Sequence, residues 1–309
     1  MGHQLATSRN APGLIEADVA PALQKLVRQR SQPREWQRFR RHRPALVGSV
    51  LLLLMIAVAV MAPILSGADP NRIDLASAAA PPSWGHPLGT DRVGRDVWAR
   101  LVYASRVSVS VGMVAVSIYV VIGVILGSIS GYFGGLVDDI VQRLTETVMT
   151  FPSLIIIITV VSLVGPSIYN VFLAIGLLGW PGVCRLVRAE VLSLREREFV
   201  VAARCLGVPT RRIMYRHIMP NVLAPILVVA TLGVAGAILT ETSLSFLGLG
   251  VQAPTPSWGN MMSDATSPTI LENAPWLWLP AGLAIAICVI SINFIGDGLR
   301  DAFDPRMSL

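Results

Sequence analysis

Lysine is nearly missing from this chain of 309 residues: Lys25, in ALQKLVRQR, is its one lysine, and no glycine flanks it. A phosphate-cradling G-x-x-x-x-G-K-[ST] loop is therefore excluded, and the chain does not hydrolyse ATP by itself. Work against a gradient would draw its energy from another chain or from an ion gradient. Histidine is scarce too, and His3, His42, His86 and His217 make no metal-ligand spacing. No G-x-S-x-G elbow or H-E-x-x-H pair occurs, so the common hydrolase constellations are absent. The three cysteines, Cys184, Cys205 and Cys288, are odd in number and argue against a disulfide framework; buried apolar roles are expected for them. Charge is sparse at 14%, against 53% hydrophobic residues. A soluble domain carries about a quarter charged residues, so the balance points to the bilayer as solvent.

What the chain does have is long apolar runs. Spanning a bilayer takes about 20 mainly apolar residues, and six segments qualify: 45–65, 105–131, 140–164, 169–187, 222–247 and 279–299. The first is too long for the h-region of a signal peptide and is expected to stay as an anchor. Arginine is dense before it (Arg34, Arg38, Arg40, Arg41, Arg43) and again in 185–220, whereas 248–278 has neither lysine nor arginine. Basic excess marks the cytoplasmic side, so both termini and the 185–220 loop are expected there. The segment 66–104 holds Arg72, Arg92, Arg95 and Arg100, matched by Asp69, Asp74, Asp91 and Asp96; Asp96 and Arg100 stand one helical turn apart.

This organises the chain as a cytoplasmic segment 1–44, a first span 45–65, an extracytoplasmic loop 66–104, a five-helix domain 105–299 and a cytoplasmic tail 300–309. In the first of these, QPREWQRFRRHR (32–43) interleaves Trp36 and Phe39 with arginines, as an interfacial helix on anionic lipid does. Gly123, Gly127, Gly131 and Gly135 recur every four residues and predict a helix stripe that a second backbone can approach closely. Gly233, Ala235, Gly236 and Ala237 form a similar run, and Pro152 after Phe151 predicts a kink in the third span.

The most informative segment is 185–220, RLVRAEVLSLREREFVVAARCLGVPTRRIMYRHIMP. Residues 196–206 read as an amphipathic helix, with Phe199, Val200, Ala203 and Leu206 on related faces. Gly207 suits the C′ position that ends it, and Pro209 extends Val208 and opens a second helix, 210–219, before Pro220. Helix, sharp turn, helix makes a knob projecting from the membrane. The small Ala202 and Ala203 would let a partner pack closely.

Here the residues carry a resemblance. VAARCLG (201–207), then HIMP (217–220), resembles the E-A-A-x-x-x-G…I-x-L-P coupling loop of bacterial ABC importer permeases. HPLGTDRVGRDVWARLVYASRVS (86–108), TETSLSFLGLGVQAPTPSWGNMM (240–262) and GDGLRDAFDPR (296–306) resemble signature segments of the dipeptide/oligopeptide/nickel group, in its C-type subunit. The likeness runs from about residue 34 to the end. Val201 stands where the motif has glutamate, with Glu198 one turn away. The resemblance implies an all-α, six-span type I importer permease with a cytoplasmic coupling helix and no bound nucleotide, cofactor, metal or nucleic acid. It also implies a B-type permease partner, two ATPase subunits or one fused ATPase, and an extracytoplasmic substrate-binding protein. The plasma (inner) membrane would hold it. Val201, Ala202, Ala203, Arg204, Gly207, Pro209, Arg212, His217 and Pro220 would form the ATPase-coupling loop.

Glu241, late in the fifth span, is a carboxylate in an expensive place. It either lines the path or forms hydrogen bonds among Thr240, Thr242 and Ser243. Asp138, Asp139, Arg143 and Glu146 cluster at the inner end of the third span and are expected to form structural ion pairs near the knob. The outer 248–275 segment with Trp258, and GTDRVGRD, are expected to be exposed for docking; Trp276 and Trp278 suit the membrane interface. Three other readings stay open: an ion-driven secondary transporter, an intramembrane enzyme, and the same architecture carrying nickel, haem or glutathione. The first needs inverted repeats and several ionisable residues at mid-membrane, and the second needs paired catalytic residues within spans.

Overall fold

Runs of leucine, valine and isoleucine long enough to cross a bilayer can satisfy their backbone in lipid only as helix or closed barrel. The chain takes the first course. A computed structural model describes residues 34–303, and its described part is helical nearly throughout, with one isolated bridge between Thr90 and Asp96. Residues 1–33 of the expected segment 1–44 and residues 304–309 of the expected tail 300–309 lie outside the described residues.

The helices are α1 (Arg34–Arg41), α2 (Arg43–Val60), α3 (Val97–Phe133), α4 (Gly135–Thr150), α5 (Ser153–Val164), α6 (Ile168–Leu178), α7 (Trp180–Arg195), α8 (Glu198–Cys205), α9 (Thr210–Ile213), α10 (Met219–Phe246), α11 (Trp258–Met262) and α12 (Leu279–Phe303). Five continuous helices are long and apolar enough to cross a membrane: Arg43–Val60, Val97–Phe133, Ile168–Arg195, Thr210–Phe246 and Leu279–Phe303. The sixth is the pair α4–α5, bent by 81°. The bend falls where the sequence places it. Pro152 holds Phe151 in extended geometry (φ −99°, ψ 140°), which no helix can pass through.

Several boundaries move outward from the sequence expectation. α3 begins at Val97 rather than 105, because the Asp96 side chain accepts from the Ala99 N–H at 2.7 Å and caps it. α7 runs to Arg195 and α12 to Phe303. The glycine stripe is shorter than expected: Gly134 (φ +67°) and Gly135 (φ +54°) reverse the chain after α3, so Gly135 sits outside the helix that carries the others.

α3 is the hub. Its C-terminal half packs with α6, α7 and the segment after α7 in one apolar core that includes Val183, Val187, Val200, Ala203 and Ile213. Its N-terminal half packs with α10, α11 and α12 in a second core around Ile238, Trp258, Leu277 and Ile292. α12 lies against α2 so closely that a methyl on Gly298 would sit 2.3 Å from the Ala45 Cβ.

At the outer end the ion pairs differ from the expected match. Arg100 turns to Asp91 at 3.5 Å, not to Asp96, because Asp96 is committed to the α3 cap and to His86 Nδ1 at 2.8 Å. Arg95 shares Asp91 at 2.6 Å, and Arg92 reaches Asp264, just beyond α11, at 2.8 Å. Burial pushes the Asp264 carboxyl above its ordinary range even with Arg92 beside it. Trp258 is 1% exposed, so it belongs to the outer core and not to a docking face; Trp84 is the tryptophan that stands fully in the open. Cys184 and Cys288 are buried as expected, but Cys205 is exposed at the end of α8.

Candidate functional site

The segment between α7 and α10 projects as a helical hairpin. Along α8, Val200 and Ala203 turn inward to the core, while Phe199, Val201 and Leu206 are 46%, 42% and 83% exposed. The four residues expected on related faces therefore divide: Val200 and Ala203 anchor the helix, and Phe199 and Leu206 face out. Ala202 and Arg204 are exposed as well. The turn that follows is a Schellman motif. Gly207 takes φ +72°, its N–H donates to the Arg204 carbonyl at 3.0 Å, and the Val208 N–H donates to the Ala203 carbonyl at 3.1 Å. Pro209 (φ −65°, ψ 143°) then starts α9, on which Arg212 is exposed.

The second arm does not end at Pro220, as the sequence suggests. It runs on through a π turn, Met214–Ile218, into α10, giving one continuous rod, Thr210–Phe246. Pro220 has no N–H for the Arg216 carbonyl, so the ladder slips, and the Met219 N–H donates to the Met214 carbonyl five residues back. His217 is half-buried on this turn, its ring 6.5 Å from that of Phe199.

The base of the hairpin is tied to the inner ends of the spans. Arg195 Nη1 donates to the carbonyls of Gly131 (3.2 Å) and Tyr132 (3.3 Å), capping the C-terminus of α3 where cations are favoured. The Arg204 guanidinium lies 5.9 Å over the Tyr132 ring. Arg188 holds Asp138 in a two-pronged pair (2.6 and 2.5 Å), and Ser130 also donates to Asp138. Of the four residues expected to form ion pairs near the knob, Asp138 does so, with Arg188 on α7. Among the described residues Asp139, Arg143 and Glu146 form no ion pair and line an open groove on α4, because they lie on the face of α4 turned away from α7.

Gly123, Gly127 and Gly131 run along α7 at backbone contact. A Cβ on Gly127 would meet the Cys184 carbonyl oxygen at 2.5 Å and Val187 Cβ at 2.9 Å. On Gly123 it would meet Val183 Cβ at 2.7 Å, and on Gly131 the Arg188 carbonyl oxygen at 2.8 Å.

Above the hairpin, at the α4–α5 break, a cavity of about 580 Å³ opens among Tyr119, Phe151, Pro152, Gly179, Gly233 and Thr240. None of its lining side chains is Asp, Glu, Lys, Arg or His. Tyr119 is 8% exposed and sits in a slot cut by two glycines: a Cβ on Gly233 would fall 1.7 Å from its hydroxyl, and one on Gly179 2.7 Å from its Cδ1. Sequence reasoning passed over Tyr119. The small-residue run at Gly233–Ala237, facing the Phe-Pro break, was the available signal.

Glu241 is 0% exposed and is not on the cavity wall; its neighbour Thr240 is. Its Oε1 accepts from Ser245 Oγ at 2.7 Å and its Oε2 from Ser108 Oγ at 3.2 Å. These hydroxyls in turn accept from the N–H groups of Val251 (3.0 Å) and Trp258 (3.2 Å), so the carboxylate joins α10, α3 and the loop before α11. The partners are not the adjacent hydroxyls. Thr240 and Ser243 donate to their own helix at Gly236 and Leu239, whereas Ser245, four residues on, shares the face of Glu241.

Comparison with known proteins identifies this arrangement. The family model "Binding-protein-dependent transport system inner membrane component" matches residues 123–309, and "N-terminal TM domain of oligopeptide transport permease C" matches residues 34–82. A putative peptide permease protein of Brucella suis is 45% identical over 276 residues, covering 89% of this chain and 91% of that protein. The dipeptide transport system permease protein DppC of Alkalihalophilus pseudofirmus is 42% identical (88% and 89% covered). The oligopeptide transport system permease protein OppC of Bacillus subtilis is 41% identical (87% and 88% covered). Among solved structures, a chain of the MetNI methionine ABC transporter in an inward-facing conformation matches at a TM-score of 0.54 with 17% identity, covering 66% of this chain and 97% of that one. That likeness shows the fold, the type I importer permease fold. The chain therefore belongs to the binding-protein-dependent transport system inner membrane components, in the branch that carries the N-terminal membrane domain of oligopeptide transport permease C: a multi-pass membrane transport subunit, not an enzyme.

Proposed function

We propose that the chain is the C-type permease subunit of an ATP-driven importer that carries dipeptides or oligopeptides across the plasma (inner) membrane into the cytoplasm. The observation that carries this reading is the identity of 41–45%, over nearly the whole chain, with proteins named as peptide, dipeptide and oligopeptide permeases. A B-type permease would complete the path, and two ATPase subunits, or one fused ATPase, would bind ATP and magnesium below. An extracytoplasmic substrate-binding protein would deliver from above, to the outer segment around Trp84. The arginine bias supports a cytoplasmic position for both termini and the hairpin.

In this reading the hairpin, Val201 to Pro220, receives force from the ATPase. Phe199, Val201 and Leu206 offer an apolar face, so docking rests on shape and burial rather than on the motif glutamate that Val201 replaces. The Arg195 cap and the Arg204–Tyr132 contact carry a push on α8 to α3, and the glycine stripe carries it to α7. The second arm is continuous with α10. Relative motion of the two arms then acts on the cavity, because Tyr119 of α3 and Gly233 of α10 meet on its wall. Glu241 serves as an outer strut holding α10 to α3, indirectly shaping the path.

The test is purification of the tagged chain with its companions, then reconstitution in vesicles. ATP turnover should rise with peptide and the delivery protein. Stimulation by nickel, haem or glutathione instead would change the cargo; solute movement without any nucleotide-consuming companion would overturn the reading.

A further inference from the structure

We propose that the Tyr119 hydroxyl is the group through which the cavity holds its cargo in passage, by a hydrogen bond to the peptide main chain and not to side chains. The inference rests on the peptide reading and names a contact that reading lacks.

Three observations meet at this atom. Tyr119 is more than nine-tenths buried, and the Gly233 and Gly179 slots fix its ring from two sides. Its hydroxyl has no hydrogen-bond partner among the described residues, although a buried phenol usually finds one. Nor is it among the buried polar atoms sealed from solvent without a partner, so its free valence opens onto the cavity it lines.

The rest of the wall decides what this hydroxyl can recognise. Val148, Ile157, Ile175 and Leu178 are apolar, and the Thr240 hydroxyl is spent on the Gly236 carbonyl at 2.8 Å. Ser153, the other hydroxyl, is exposed at the α4–α5 break. With no ionisable lining side chain, this wall offers no formal charge to pair with a charged side chain or terminus. The peptide bond is the polar group common to every peptide. One neutral donor against it gives a weak hold that ignores side chains and releases readily.

The experiment uses the full transporter in vesicles, with labelled Ala-Ala, Lys-Ala, Glu-Ala and Phe-Ala as probes. Tyr119→Phe keeps the ring in its slot, so melting should match the parent. Peptides carried per ATP hydrolysed should fall by about two- to tenfold, the worth of one neutral hydrogen bond, and by a similar factor for all four. Gly233→Ala, which displaces the hydroxyl while leaving it present, should give the same uniform loss. Unchanged uptake of all four probes by Tyr119→Phe would overturn the proposal; a loss confined to one side-chain type would overturn main-chain recognition. No uptake of any probe by the unsubstituted transporter would remove the peptide reading itself, and this inference with it.

Discussion

Replacing Gly127 by alanine isolates the α3–α7 contact. The new methyl would lie 2.5 Å from the Cys184 carbonyl oxygen, a backbone atom that cannot yield unless α7 moves as a whole. Overpacking of this kind costs about 1–3 kcal/mol. Alanine also favours a helix over glycine by about 0.5–1 kcal/mol, which partly masks the cost. Gly236 supplies the reference. It lies mid-helix in α10 with nothing within 4 Å of its would-be Cβ, so Gly236→Ala collects the same helix gain without a clash. The difference between the two variants is then about 1–3 kcal/mol, or a midpoint lower by about 2–10 °C for Gly127→Ala. The chain carries its own reporters. Cys184 and Cys288 are each 0% exposed and become reactive on unfolding, while exposed Cys205 reacts at the start and sets the baseline. A thiol-reactive dye read against temperature in detergent gives both midpoints. Equal midpoints, or a higher one for Gly127→Ala, would refute the close-packing argument.

Three further outcomes are expected. Glu241→Gln keeps one acceptor oxygen for Ser108 or Ser245 and offers its NH2 to the other hydroxyl, so it should melt closer to the parent than Glu241→Leu, which strands both buried hydroxyls at about 1–3 kcal/mol; equal melting of the two would remove the strut. Gly207→Val forces a β-branched residue to φ +72°, straining the hairpin turn by at least about 1–2 kcal/mol; co-purification with the ATPase and peptide-driven ATP turnover should both fall, and unchanged values would show that the turn carries no force. Arg188→Ala leaves the Asp138 carboxylate without its partner, at about 1.5–3 kcal/mol for a charged hydrogen bond. The double variant with Asp138→Ala should cost less than the two single losses together; strict additivity in melting would mean the pair is not coupled.

Much of the architecture was readable from composition and periodicity, because lipid permits few alternatives to helix. The Phe151 and Pro152 break and the Gly207 turn were legible for a local reason: each rests on a backbone restriction that holds whatever surrounds it. What escaped depended on partners distant in sequence. Asp138 found Arg188, fifty residues on, rather than its neighbour Arg143. Arg100 found Asp91 because Asp96 was already committed to a cap. The faces of α8 divided by what α7 and α9 cover, which no moment along eight residues foretells. The cavity was the least visible feature, since its wall comes from six separate helices and its buried, unsatisfied hydroxyl looks, in sequence, like any apolar tyrosine.

The length of α3 has a mechanical meaning. Thirty-seven residues of uninterrupted helix make a rod of about 55 Å, while the hydrocarbon of a bilayer is about 30 Å thick. Its tips therefore stand in water on both sides, one beside the outer Asp91–Arg100 cluster and the other under the Arg195 cap. It contains no proline to act as a joint. In the proposed importer, a delivery event that tilts one tip would swing the other as well, so that a single stiff spar would announce the arrival of cargo to the motor.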